Sequence, residues 1–278
     1  MEALETTLGA VVRGVRLNAL GDEDWAAIET AFLEYAILVF PGQHLTEDEQ
    51  RTFGTRFGPI EDVTRTTITA ITNQRRDGSL MPEHDPIMHI LKGNEDWHTD
   101  SSYMPVSAKA SMLSAHIVPS VGGTTQWVDM RHAYDTLDPG MQERVNSLSA
   151  YHSIIRSQAL LGYTDAPKGA YGYDIVDPPL RPLVKVHPET GRPALFIGRH
   201  AYGIPGLDPE ESEQLLNTLH EHSCRPPRLY EHHWVPGDLV LWDNRCVLHR
   251  ARPWDPNEAR LMKHTRVSGN PLSEGIPA

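Results

Sequence analysis

Residues 237–250 read GDLVLWDNRCVLHR. Leu239, Leu241 and Asp243 alternate with Val240 and Trp242, and an alternation of period two belongs to an extended chain whose side chains point to opposite faces. The segment is therefore expected to be a strand that turns and then leads to His249. The same unit, a short apolar run bounded by turn residues, recurs upstream. ASMLSAHIV (110–118) precedes Pro119, TTQWVDM (124–130) follows Gly122-Gly123, and PLVKVH (182–187) and ALFIG (194–198) flank PETGRP (188–193). Many short strands separated by Gly and Pro turns predict a β-sandwich or barrel, with Trp127 and Trp242 in its core.

Helices are expected around this β body. DEDWAAIETAFLEY (22–35) spaces Trp25, Ile28, Phe32 and Tyr35 by three and four and carries acids in its first turn, which predicts an amphipathic helix. AILVF (36–40) then runs into PGQ as a short buried strand. Thr46 and Glu49 form a capping-box pattern for a second helix carrying Phe53 and Phe57 and stopping at Gly58-Pro59. A further helix starts at Asp208-Pro209, with Leu215, Leu216 and Leu219 inward. Residues 61–95 show no clear period and are expected to be a long loop. That stretch and residues 155–180 are the candidate lid segments over a site.

The chain has 278 residues, 39% hydrophobic and 22% charged, which fits one large globular domain over residues 1–278. A formal charge of −12 argues against nucleic acid, whose binding requires a basic face, and favours a small-molecule ligand. Cys224 and Cys246 are too few for a disulfide framework. No apolar run approaches a membrane span, so the expected location is the cytoplasm and no membrane partner is expected. A homo-oligomer, dimer or tetramer, is expected.

DWHTDSSY (96–103) carries the chemistry. If it is extended, His98 and Asp100 project side by side from one face. A third ligand should come from another strand, and His249 is available. Two imidazoles and one carboxylate leave positions of the metal open, the arrangement suited to non-haem Fe(II) oxygenases.

In these motifs the sequence resembles the Fe(II)- and 2-oxoglutarate-dependent dioxygenases of the taurine dioxygenase and chlorophenoxyacetate dioxygenase group. The resemblance runs from LGAVVRGVRL (8–17) and LVFPGQHLTEDEQRTFGTRFGPI (38–60) through NEDWHTDSSY (94–103), GGTTQWVDM (122–130) and HPETGRPALFIGRHA (187–201). It continues through GDLVLWDNRCVLHR to Arg260. It implies a mainly β fold with flanking helices, a double-stranded β-helix or jelly roll, with His98, Asp100 and His249 holding Fe(II). It implies that Thr125 and Arg260 bind 2-oxoglutarate, the arginine pairing with its distal carboxylate. It also implies that O2 and 2-oxoglutarate are consumed to hydroxylate a C–H bond, releasing succinate and CO2. The carboxylate at Asp100 favours hydroxylation over halogenation.

For the primary substrate the resemblance points to Asn94 and His200 as pocket residues. Many members of the group have a second arginine four residues after the first, where this chain has His264; Arg266, two positions on, could substitute if it shares that face. A small carboxylic acid of the aryloxyalkanoate kind is the expected substrate, with a sulfonate, a sulfate ester or a neutral natural product as the alternative. A zinc hydrolase or a non-catalytic jelly-roll binding protein remains a remote reading. His232-His233 and His220 with His222 are read as ordinary histidines, and Tyr171 and Tyr173 as parts of a lid or a subunit contact.

Overall fold

The computed structural model describes residues 1–62, 68–164 and 170–276. Its main sheet has seven strands in the order Glu2–Ala3, Ala10–Val11, Ile37–Phe40, Leu239–Asp243, Ala108–Ile117, Leu261–Ser268 and Thr69–Thr72. All neighbours are antiparallel except Ala10–Val11 beside Ile37–Phe40. Facing it is a three-stranded sheet in which Thr125–Asp129 lies between Leu229–His232 and Val247–Ala251. Ala201–Tyr202, Ser149–His152 and Leu180–Pro182 form another small sheet, and Val184–Val186 pairs with Pro193–Leu195 across the PETGRP turn. This strand-rich jelly roll with flanking helices is the fold that the resemblance implied.

The strand Leu239–Asp243 shows why the body closes. Val240 and Trp242 enter the core between the sheets with Trp127, Leu195, Leu248 and Met262. Leu239 and Leu241, on the opposite face, enter a second core with Ile28, Phe32, Phe40, Phe53 and Phe57. Both faces are thus dry, and period two divides one strand between two apolar layers. The helices Asp22–Tyr35 and Glu47–Thr55 supply the cover of the outer face: Phe32 of the first meets Phe57 edge-on at 5.2 Å, and Phe53 of the second meets Phe57 at 5.5 Å and Phe40 of the strand beneath at 5.8 Å.

Local signals set most helix starts. Thr46 and Glu49 complete their capping box, and Asp208 and Glu211 do the same for the helix Pro209–Ser223. Asp208→Ala should therefore cost about 1 kcal/mol of stability. A shift of the urea midpoint with an unchanged slope would register it.

The structure corrects the sequence reading in three places. Residues 61–95 are not one loop: Thr69–Thr72 is an edge strand on Leu261–Ser268, and Pro86–Gly93 is a helix capped by Asp85 with Pro at its first position. The helix from Glu47 ends at Thr55, and Phe57 lies beyond it, although still buried. Within DWHTDSSY only His98 bridges another strand, and the chain turns at Asp100, with Ser101 at φ 57°. Parts of both candidate lid segments, 63–67 and 165–169, lie outside the described residues.

Candidate metal centre and its surroundings

His98 and His249 meet through a backbone bridge, His98 N–H donating to the His249 carbonyl at 3.0 Å and His249 N–H to the His98 carbonyl at 2.8 Å. Their ring centroids are 4.2 Å apart. One ligand atom each from His98, Asp100 and His249 falls within a 4.8 Å cluster, and all three residues are buried. The turn at Asp100 therefore does what extension alone was expected to do.

Each donor is presented in its ligating form. His98 Nδ1 donates to the Asp96 carbonyl at 2.8 Å, which leaves the Nε2 lone pair free. Burial pushes the His98 imidazole down to about 4, and it holds His249 well below its ordinary range, so both are neutral at pH 7. Burial alone would raise the Asp100 carboxyl, but the Arg266 guanidinium, with His264 and His249, keeps it well below the usual carboxylate range. Ser111 Oγ donates to Asp100 Oδ2 at 2.7 Å, and Arg266 Nη2 lies 3.1 Å from Oδ1. Asn244 joins this support, donating from Nδ2 to Ser111 Oγ at 2.8 Å and accepting from Trp242 Nε1 at 2.9 Å. Two neutral imidazoles and an ionised carboxylate, with His98 and Asp100 held in place by their hydrogen-bond partners, fit a divalent metal such as Fe(II).

A second group, His187, Asp243 and Cys246, has similar spacing. Its hydrogen bonds are already assigned, however. His187 Nδ1 accepts from the N–H groups of Glu189 and Thr190, so Nε2 carries the proton given to Asp243 at 3.0 Å. Asp243 is also gripped by Arg245, and burial pushes the Cys246 thiol up. This cluster braces the core.

Arg260 is the other notable charge. It is 2% exposed, and among the described residues no carboxylate lies within ion-pair distance. Burial pushes it down to about 10, yet it remains charged at pH 7. Its Nε donates to the Gly123 carbonyl at 3.3 Å and its guanidinium lies 5.1 Å from the Trp254 ring centre. The approach depends on Gly122 and Gly123. Both have positive φ, and a Cβ at Gly122 would meet the Pro253 carbonyl oxygen at 2.4 Å. The same turn leads into Thr125, whose Oγ1 accepts from Trp234 Nε1 at 3.0 Å and keeps its own proton to donate. A buried guanidinium without a carboxylate partner among the described residues, beside the turn that leads to a hydroxyl with a proton to donate, fits the distal carboxylate of a dicarboxylic acid such as 2-oxoglutarate.

At positions 264 and 266 both side chains reach Asp100. His264 Nε2 is 3.3 Å from Oδ2, and its ring is stacked on Trp242 at an interplanar angle of 8°. Arg266 Nε and Nη1 are buried without partners. His200 is buried, its Nδ1 is 2.8 Å from Ser157 Oγ, and its ring is 6.1 Å from that of His98 and 4.9 Å from Tyr103. Asn94 caps the helix Pro86–Gly93, and its carbonyl accepts from Ala251 N–H at 2.7 Å. Sequence reasoning missed Glu61, Ser101, Ser111 and Asn244, polar residues whose inward position depends on tertiary pairing. The one usable signal was adjacency, Asn244 to Asp243 and Ser101 to Asp100.

Comparison with known proteins agrees with this geometry. Residues 2–266 match the family model for taurine catabolism dioxygenase TauD, TfdA family. The chain belongs to the TauD/TfdA family. Among its family relatives, an (S)-phenoxypropionate/alpha-ketoglutarate-dioxygenase of Sphingobium herbicidovorans is 55% identical over 98% of this chain and 95% of its own. An alpha-ketoglutarate-dependent 2,4-dichlorophenoxyacetate dioxygenase of Cupriavidus pinatubonensis is 38% identical over 88% of this chain and 89% of its own. The crystal structure of AAD-2 in complex with Mn(II) and N-oxalylglycine superimposes with a TM-score of 0.91 at 34% identity, covering 100% of this chain and 98% of that one. This TauD/TfdA member is thus a non-haem Fe(II)- and 2-oxoglutarate-dependent dioxygenase that uses O2 and acts on a small molecule. The zinc-hydrolase and binding-protein readings fall with that assignment. Among the described residues no helix is long and apolar enough to cross a membrane.

Proposed function

We propose that this dioxygenase hydroxylates a small aryloxyalkanoic acid, at the C–H carbon that bears the ether oxygen. The observation that carries the reading is Arg266: a largely buried guanidinium beside the metal-site carboxylate, with its Nε and Nη1 buried and unpartnered. Unpaired N–H groups in a dry place are costly, and a substrate carboxylate satisfies them. Relatives acting on phenoxypropionate and dichlorophenoxyacetate support the same class.

His98, Asp100 and His249 hold the iron in this reading. Arg260 takes the distal carboxylate of 2-oxoglutarate and Thr125 donates to the co-substrate. Iron with 2-oxoglutarate and O2 supplies the oxidising chemistry, with succinate and CO2 as products. The protein's own part is orientation: the Asp96 carbonyl fixes the His98 tautomer, and Ser111 and Arg266 fix the Asp100 oxygens. Asn94, His200 and His264 border the substrate, with Tyr103 and Tyr171, 6.1 Å apart and edge to face, supplying aromatic wall for an aryl ring. Hydroxylation next to an ether oxygen gives a hemiketal or hemiacetal, which expels a phenol. Both cysteines are free, in keeping with a cytoplasmic enzyme.

The test is a screen by succinate release and phenol formation with both enantiomers of 2-phenoxypropionate, phenoxyacetate, taurine and an alkyl sulfate. Phenol formed in step with succinate on the aryloxy acids supports the proposal. Turnover confined to taurine or the sulfate ester would replace it with the sulfur-acid reading.

A further inference from the structure

Around Arg266 lies a hydrogen-bonded cluster of which the reading above uses only the Tyr171 ring. Glu61 N–H donates to the Arg266 carbonyl at 2.9 Å, next to the Ile60–Val267 bridge, so the backbone fixes Glu61 beside this arginine. The Glu61 carboxylate turns inward, where Oε2 accepts from Tyr171 Oη at 2.8 Å and from Ser101 Oγ at 2.9 Å. Ser101 Oγ and Tyr171 Oη are themselves 3.0 Å apart, so the three groups form one close cluster in which both hydroxyl protons go to the Glu61 carboxylate. The Arg266 guanidinium lies over the Tyr171 ring, 5.4 Å from its centre. Tyr171 is seated by its neighbour: Gly172 has φ +81°, and a Cβ there would stand 2.3 Å from the Tyr103 ring, so only glycine brings the turn this close. Three segments distant in sequence, ending at Glu61, Ser101 and Tyr171, are thus tied on one side of Arg266.

We propose that Glu61 and Tyr171 are positioning residues for Arg266. By fixing the phenol ring against the guanidinium they hold the long arginine side chain in one place, with its unpartnered N–H groups available to the substrate's carboxylate. An arginine left loose would lose its rotamer freedom at the moment of binding; here that ordering is complete beforehand. Ser101 follows Asp100 directly, so the same cluster fixes the arginine and the metal-site carboxylate relative to each other. The inference rests on the reading of Arg266 as the substrate's carboxylate partner.

The experiment uses the Fe(II)- and 2-oxoglutarate-loaded protein without oxygen. The visible band of the chelated keto acid gives the 2-oxoglutarate affinity, and its change on adding 2-phenoxypropionate gives the substrate affinity. Glu61→Ala and Tyr171→Phe should each weaken substrate binding about tenfold while 2-oxoglutarate binding stays within about twofold. With oxygen admitted, both should release more succinate than phenol, because a misplaced substrate is missed. Tyr171→Phe keeps the ring and its seat, so loss of the fold does not explain its effect. Glu61→Gln keeps an acceptor for the phenol and should recover most of the affinity. The Glu61→Ala, Tyr171→Phe double variant should be no weaker than the weaker single one, because both remove one hydrogen bond. Substrate affinity within twofold of the unaltered protein in both single variants, or additive losses in the double variant, overturns the proposal. Arg266→Ala separates the two ideas: unchanged substrate affinity there removes the carboxylate assignment itself, whereas a loss there with none in the others removes only the positioning role.

Discussion

His249→Ala should abolish iron binding and reduce turnover to background, while the protein still folds. The site has three donors within one 4.8 Å cluster, and removing one leaves a histidine and a carboxylate, too few protein ligands to retain Fe(II) against water. The fold should survive because the bridge between the strands at this point is made by backbone groups, which alanine keeps. His249 Nδ1 is also buried without a partner, so no side-chain hydrogen bond is lost. Metal analysis after dialysis against Fe(II), with circular dichroism on the same sample, separates the outcomes. Iron retained at one equivalent would move the centre away from His249. A lost fold would mean that the imidazole packing against Trp242 matters more than the bridge.

Arg260→Ala should spare the metal and weaken 2-oxoglutarate binding by roughly two to four orders of magnitude, the scale on which breaking a buried charge pair costs about 3–5 kcal/mol. Without co-substrate the same substitution should leave stability nearly unchanged. The guanidinium is desolvated and has no carboxylate partner among the described residues, so alanine removes a burdened charge and leaves no opposite charge stranded. The thermal upshift that 2-oxoglutarate gives the unaltered protein should disappear from the variant. Titration of the visible keto-acid band under Fe(II) without oxygen measures the affinity. An unchanged dissociation constant would exclude Arg260 from the co-substrate site.

What the sequence discloses follows the range of the physical signal. Thr46 with Glu49 and Asp208 with Glu211 are capping boxes, complete within four residues, and both helix starts are legible. The alternation in Leu239–Asp243 is equally local, and so is the grouping of His98 with Asp100. The segment 61–95 reads as loop in the sequence because its elements carry little of this signal. Thr69–Thr72 sits at the sheet edge without a buried residue, and Pro86–Gly93 buries only Leu91 and Gly93. Asp85-Pro86 is the same start signal as Asp208-Pro209, but too short an apolar face follows it. The support of Asp100 is less legible still. Ser111 lies in an apolar strand, and its role exists only once Ala108–Ile117 is packed against the turn that carries Asp100. Histidine and arginine ligands could be singled out through motifs, whereas serines and an asparagine acting through hydrogen bonds have no pattern of their own.

Trp242 has a consequence that is optical. Its indole is stacked on His264 and its ring centre is 4.7 Å from that of His249, so one of the chain's 6 tryptophans stands against a metal ligand. Trp127 and Trp234 are farther along the same aromatic row, with ring centres 5.7 Å from Trp242 to Trp127 and 6.3 Å from Trp127 to Trp234. Quenching by a paramagnetic ion falls steeply with distance, and excitation passes readily between indoles this close. The row therefore acts as an antenna that ends at the metal. Loading and unloading of the centre can be followed by intrinsic fluorescence, with no added dye and no turnover, in the unaltered protein.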